Sequence, residues 1–332
     1  MRWGLIGASS IAANHMIGAI RGAGGDIRSV LSSSADRAES YADEHGIPRG
    51  LTDLDTLLTE DDLDAVYIST TNEKHFAQAM AAVAAGKHVL CEKPLAMTVT
   101  DAVTMVRAAA DAGVVFATNH HLRNAGSHIA IREAVQAGRI GTVLSVRVFH
   151  AVQLPPFLQG WRIDNPGAGG GVIPDIVVHD ADTVRFHLGE DPAEIVAIDG
   201  TSGLGQGVED SVMSVWSMPS GVMVQAHESF THAFAGTGFE IHGTMGSIFA
   251  RGVMNQRPMG EITLRTEAGE ESLPFADHNL YARAMDQFAA AVRGQGSPAA
   301  DGVDGVKSLA VAAAVAKAAK TGRRVAVDYG GI

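Results

Sequence analysis

The sequence predicts an α/β chain: a Rossmann-type parallel-sheet domain followed by an α+β domain on a large, mostly antiparallel open sheet. Three observations carry this. Over the first third, short apolar runs alternate with helix-length segments. A small-residue turn, Gly7-Ala8-Ser9-Ser10-Ile11-Ala12, follows the first apolar run at once. From Ala193 to Leu273 strand-like runs succeed one another with no helix between them. Strands apolar on both faces that alternate with helices build a parallel sheet covered on both sides. Consecutive strands build an antiparallel one.

Taken in order, strands are expected at 3–6, 27–31, 65–69, 88–91 and 114–118, with helices at 11–20, 36–45, 73–85 and 99–112. The pattern changes after Asn119. A helix over 126–137 leads into a strand at 143–152, a Pro- and Gly-rich loop runs from Leu154 to Gly171, and a helix follows over 174–188. Strands at 195–198, 210–217, 222–230, 238–242, 247–250 and 261–264 come next, and helices over 279–292 and 302–320 close the chain. The expected division is 1–119 for nucleotide binding and 120–332 for substrate, with the C-terminal helix free to pack back on the first domain.

Composition narrows the function classes. With 25 Lys+Arg against 37 Asp+Glu the chain carries −12, an acidic field that disfavours nucleic acid as a partner. Its single cysteine, Cys91, rules out an internal disulfide framework. No apolar run approaches the roughly 18–20 residues of a membrane helix, and the first residues, MRWGLIGASS, enter a strand pattern rather than a signal peptide. A cytoplasmic protein without a membrane partner is expected.

The turn after the first strand is where a dinucleotide pyrophosphate meets a helix N-terminus. It departs from G-x-G-x-x-G: Ser9 stands at the second glycine position and Ala12 at the third. The same residues would also make a plain strand–turn–helix. About 20 residues on, NAD-specific sites place an acid at the end of the second strand. Here Leu31 is followed by Ser32, Ser33, Ser34, Ala35, Asp36 and Arg37. Ser32, Ser33 and Arg37 suit a 2′-phosphate, which favours NADP(H); the serines also suit the N-cap of the next helix.

Glu92-Lys93-Pro94 lies at the carboxyl end of the fourth strand, the edge where open parallel sheets bind ligands. Lys93 can polarise a carbonyl there, although a lysine before proline is also an ordinary surface residue. Gly169-Gly170-Gly171 opens a helix on which Asp175 and His179, four apart, share a face. His179 can exchange a proton near neutral pH, and Asp175 can orient it; the pair can equally be a surface one. No third or fourth ligand has zinc spacing, so no metal is expected. Of His120 and His121, adjacent on a strand, at most one is expected to point inward.

Together these motifs resemble the glucose–fructose oxidoreductase/inositol dehydrogenase/MocA family of NAD(P)-dependent oxidoreductases, over essentially the whole chain. The stretches RWGLIGAS, STTNE, GKHVLCEKPLAMT, TNHHLRNA, RVFHAV, LQGW, GGGVI, VHDAD, GVED, TGFEIHGT and NLY carry the likeness further, toward its reductases of sugar ketones. The resemblance implies Lys93, Asp175 and His179 as catalytic residues. It implies cofactor contacts from Gly7, Ala8, Ser9, Ser10, Ile11, Ser32, Ser33, Arg37, Thr70, Thr71, Asn72, Glu73, His75, Glu92, Lys93, Asn119, Trp161, Arg162 and Tyr281. The implied reaction is hydride transfer from NADPH to the ketone of an anhydroketose, with Lys93 and His179 assisting; either could be the proton donor. His150, Trp161 and His120 are candidate sugar contacts. A polyol or inositol dehydrogenase using NAD, and a non-catalytic nucleotide-binding regulator, are the alternatives. The partner is a small sugar, and the quaternary state is a monomer or a homo-oligomer through the second-domain sheet.

Overall fold

Trp3–Ile6 and Ala65–Ile68 are buried at every residue, so both strands need cover on two faces. The computed structural model, which describes residues 1–59 and 62–332, supplies it with a six-stranded parallel sheet flanked by helices. Its strands are β1 (Arg2–Ile6), β2 (Asp26–Leu31), β3 (Arg49–Leu51), β4 (Ala65–Ile68), β5 (His88–Cys91) and β6 (Phe116–Thr118), in the order β3-β2-β1-β4-β5-β6. The helices are α1 (Ile17–Gly22), α2 (Ala35–His45), α3 (Leu54–Leu58), α4 (Asn72–Ala84) and α5 (Val99–Asp111). The order reverses between β1 and β4, and a sheet of this kind binds ligands at the carboxyl ends of its strands at such a point.

Two elements here, β3 and α3, escape the sequence reading, and a third departs from it. β3 has three residues, too few to show alternation, and Gly50 sits where a Cβ would lie 2.5 Å from the Ala38 carbonyl carbon. The first helix, expected over 11–20, opens as a wide π turn over Ala12–Met16 before continuing as α1.

From residue 122 the chain builds α6 (Gly126–Gln136), β7 (Val143–Gln153), α7 (Trp161–Asp164), α8 (Val178–Leu188), β8 (Glu194–Gly200), β9 (Ser211–Ser217), β10 (Met223–Ser229), β11 (Thr231–Gly243), β12 (Gly246–Arg251), β13 (Glu261–Thr266) and β14 (Gly269–Ser272). Helices α9 (Leu280–Val292) and α10 (Gly302–Thr321) and strand β15 (Val325–Ala326) end it. The nine strands run β14-β13-β12-β11-β7-β10-β9-β8-β15. Neighbours are antiparallel except β7 and β10, which are parallel. Strict alternation places Val212, Ser214 and Trp216 of β9 inward and Met213 and Val215 outward. Val178, Ala181 and Val184 of α8 join Trp216, Phe230, Phe239 and Ile241 in one core. The expected loop from Leu154 to Gly171 carries α7 and 3₁₀ turns at Pro156–Leu158 and Pro166–Ala168, and the helix expected from 174 opens as a second π turn over Ile173–Val177.

The chain divides into two compact units that are not two consecutive stretches. One comprises 1–121, 281–306 and residue 332; the other comprises 122–280 and 307–331. His120 and His121 correct the one-inward expectation: both are buried, because His120 follows β6 and His121 opens a 3₁₀ turn, so strand alternation does not govern them. Among the described residues no helix is long and apolar enough to cross a membrane.

Inside the second unit His128 and His187 are buried side by side, with His128 Nδ1 3.0 Å from His187 Nε2 and His128 Nε2 3.2 Å from the Val253 carbonyl. Burial holds His128 down at about 4, and His187 well below its usual value. Both are neutral in the fold, whereas an unfolded histidine takes a proton near 6.5. The stability this lends is complete above about 6.5 and is lost as the pH falls toward about 4. For His128 alone that loss is on the order of 3 kcal/mol. Urea unfolding across that range should show the fall, and His128→Gln should flatten it; parallel curves for the two proteins would refute the assignment.

Candidate active site

The Gly7 turn is set by backbone crowding. Gly7 has φ +117, and a Cβ there would lie 3.0 Å from the Ser69 carbonyl carbon and 3.1 Å from the Thr70 nitrogen. Ser9 caps the helix that follows: its Oγ accepts from the Ala12 N–H at 3.2 Å and lies 2.7 Å from Ser69 Oγ. The next helix braces the turn from the side. Arg37 Nη2 donates to the Ala8 carbonyl at 2.6 Å, and Tyr41 Oη to the Ser9 carbonyl at 2.9 Å. Ser34 is the N-cap of α2, accepting from the Arg37 N–H, while Ser32 is buried and Ser33 exposed. So Ser34 takes the capping role, Ser33 and Arg37 stand at the surface past the strand end, and no carboxylate stands at the end of β2.

Thr70 and Thr71 lead into α4, whose first turn has no side-chain cap and holds Asn72 and Glu73. Thr70 bonds Gln78 at 2.6 Å and Thr71 bonds Glu73 at 2.7 Å. His75 is wholly buried, its Nδ1 2.9 Å from the Pro94 carbonyl and its Nε2 3.1 Å from the Thr70 carbonyl. Its observed work is to tie the loop after β4 to the turn after β5, with Lys93 between Glu92 and Pro94 on that turn. Glu92 accepts hydrogen bonds at Oε1 from Tyr67 and, at 2.6 Å, from Asn119 Nδ2. Burial first, then the Glu92 charge, pushes Tyr67 well above the usual phenol range, so it stays a donor. Tyr281 stacks with His15 and with His121, with ring centroids 4.7 and 5.5 Å away. Sequence reading missed Tyr67, which is one apolar-looking position in a buried strand and gives no signal of its own.

In the second unit the glycine run permits a close approach. A Cβ on Gly170 would lie 2.5 Å from the Trp161 carbonyl oxygen, and one on Gly171, at φ +116, would lie 2.3 Å from Glu209 Oε1. Gly171 N donates to the Arg162 carbonyl at 2.8 Å, and Ile173 N to Glu209 at 3.0 Å. This seats α7 on the start of the next helix, and Arg162 Nε then lies 3.3 Å from Asp175 Oδ2. The Arg162 guanidinium also lies over the Trp161 ring at 4.6 Å. Asp175 and His179 are both buried, and the ring of His150 on β7 lies 6.5 Å from that of His179. The Arg162–Asp175 pair joins residues 13 positions apart through the loop, which no local pattern reveals.

The first unit's residues fit a nicotinamide dinucleotide: a tight glycine turn closed on the Ser69–Thr70 backbone, two helix N-termini at one sheet edge, and polar groups at Thr70, Glu92 and Asn119. Among the described residues no group of three or more His, Cys, Asp or Glu could hold a metal ion.

Comparison with known proteins gives the same picture. Residues 1–120 match an oxidoreductase family with an NAD-binding Rossmann fold, and residues 128–249 match the GFO/IDH/MocA C-terminal domain. The chain is 56% identical over 330 residues, 99% of each chain, to 1,5-anhydro-D-fructose reductase of Ensifer adhaerens. It is 29% identical to D-xylose 1-dehydrogenase (NADP(+)) 2 of Haloferax volcanii, over 99% of this chain and 100% of that one. Among solved structures, aldose-aldose oxidoreductase from Caulobacter crescentus, complexed with glycerol, superposes with a TM-score of 0.89 at 24% identity, over 98% of this chain and 99% of that one. That likeness speaks for the fold.

Gly7→Ala should destabilise the first unit by about 1–3 kcal/mol, the usual cost of a side chain in a backbone region reserved for glycine. Affinity for a reduced nicotinamide dinucleotide, followed by fluorescence titration, should fall with it. Unchanged urea unfolding would refute the strain.

Proposed function

The chain belongs to the GFO/IDH/MocA family of oxidoreductases, and from that premise we propose that it reduces a sugar ketone with NADPH, converting 1,5-anhydro-D-fructose to 1,5-anhydro-D-mannitol. The observation that carries the substrate is the 56% identity, across the whole chain, to the Ensifer 1,5-anhydro-D-fructose reductase. The choice of NADPH rests on the end of β2, which offers Ser33 and Arg37 and no acid to repel a 2′-phosphate.

In this reading Gly7, Ala8, Ser9, Ser10 and Ile11 hold the pyrophosphate, Ser32, Ser33 and Arg37 the 2′-phosphate, and Thr70, Thr71, Asn72, Glu73, Glu92, Asn119, Trp161, Arg162 and Tyr281 the remainder. His75 acts behind them. Bound NADPH supplies the hydride. Lys93 offsets the negative charge that develops on the ketone oxygen. His179 delivers the proton, and Asp175, paired with Arg162, orients it. We place the enzyme in the cytoplasm, where the buried Cys91 thiol stays reduced.

Purified enzyme with 1,5-anhydro-D-fructose should oxidise NADPH much faster than NADH. His179→Ala should lower turnover by roughly 10²–10⁴-fold, the usual size of a lost acid–base group, with NADPH binding intact. Tight NADPH binding without turnover would discard the substrate, and NAD reduction by a polyol would replace the reading with a dehydrogenase.

Self-association, in the same reading, uses the outward face of β8–β10. Ile198, Met213, Val215 and Met223 are exposed there, with Ile198 opposite Met213. Sedimentation should register a dimer that Ile198→Asp weakens; a constant monomer mass would remove this face as an interface.

A further inference from the structure

Two carboxyl groups are buried against each other in the second unit. Asp180 stands in the first turn of α8, beside His179, and Glu228 lies in β10; both are 0% exposed. Glu228 faces inward by strand alternation, in line with Val224 and Ala226. Among the described residues none of the four carboxyl oxygens has a partner at full hydrogen-bonding geometry; the carboxyls approach each other, and the Glu228 backbone N–H approaches its own carboxyl. A histidine also approaches. In the parallel register of β10 and β7, Glu228 lies opposite His150, and His150 Nδ1 stands 3.4 Å from Asp180 Oδ1.

Two ionised carboxylates cannot share a dry site, because each accepts hydrogen bonds only and their charges repel. One proton between them converts the clash into a charge-assisted O–H···O⁻ bond and leaves one charge instead of two. Burial raises both groups, and the Asp180 charge raises Glu228 further, so the proton resides on Glu228. Asp180 is left as an acceptor toward His150.

We infer that Asp180 and Glu228 form a one-proton carboxyl pair that positions His150, fixing Nδ1 as its protonated nitrogen and leaving Nε2 as its acceptor, in a ring 6.5 Å from that of His179. Asp180 and Glu228 are positioning residues acting through His150. The consequence for turnover rests on the reading of His179 as the proton donor; the pair itself does not.

Infrared spectra at neutral pH should contain the carbonyl stretch of a protonated carboxyl that disappears in Glu228→Gln. Nitrogen NMR, with the His150 signals assigned through His150→Gln, should show the Nδ1–H form in the wild type. In Asp180→Asn, whose amide can donate to Nδ1, the proton should move to Nε2. Turnover in Asp180→Asn should fall by as much as about 10⁴-fold, the loss that follows when a functional histidine is left in the wrong tautomer, with NADPH affinity unmoved. An unaltered carboxyl band in Glu228→Gln would overturn the shared proton, and an unaltered His150 tautomer in Asp180→Asn would overturn the positioning. Should Asp180→Asn fail to fold, the near-isosteric Glu228→Gln still decides the first point. Neither spectrum needs a substrate, so both remain readable if the proposed reaction is wrong.

Discussion

A carboxylate at the end of a doubly covered strand must be given donors or give up its charge. Glu92 meets that constraint at the end of β5, and much of the first unit's polar edge is arranged around it. Tyr67 donates from inside β4 and Asn119 from just beyond β6, so strands on both sides of β5 are tied to one oxygen. A phenol can serve as the donor because burial keeps its proton on. Lys93 follows Glu92 directly, and His75 secures the next residue, Pro94, to the loop after β4. The lysine is therefore carried on a turn fixed at both ends, which is the condition for aiming a long flexible side chain.

The second unit solves its positioning problem with absent side chains. Gly170 and Gly171 let the Trp161–Asn165 backbone and the Glu209 carboxylate press against the start of the helix that bears Asp175 and His179. Arg162 arrives beside Asp175 as a result. Its Nε stands 3.3 Å from Asp175 Oδ2, an ion pair reached through the loop rather than along the helix.

Much of this was legible in the sequence because it is local. The Gly7 turn, the Glu92-Lys93-Pro94 turn and the glycine run before Asp175 each sit within a few residues of the strand or helix that presents them. What was not legible depends on long-range contact or short length. β3 is too brief to alternate. Ser32, Ser33 and Ser34 read alike, yet one is buried, one exposed and one a cap, which only the path of the chain decides. The histidines at 120 and 121 were read on a strand that ends at Thr118. Glu228 left a trace, a carboxylate at an inward position of an alternating run, but its meaning required Asp180 from α8.

Two helices, one in each unit, begin with a π turn, at Ala12–Met16 and Ile173–Val177. Such a turn holds one residue more than the regular helix that follows it, and each residue advances a helix by about 100°. The residues before and after the wide turn therefore follow different angular frames. One stretch of chain can aim its opening residues in one direction while its continuation keeps an apolar stripe on its own unit's core, with neither frame constraining the other. The extra residue works as a gear between the bearing of the opening residues and the face that belongs to the core. Removing one residue from such a turn would leave the composition almost intact and swing everything upstream of it off its bearing.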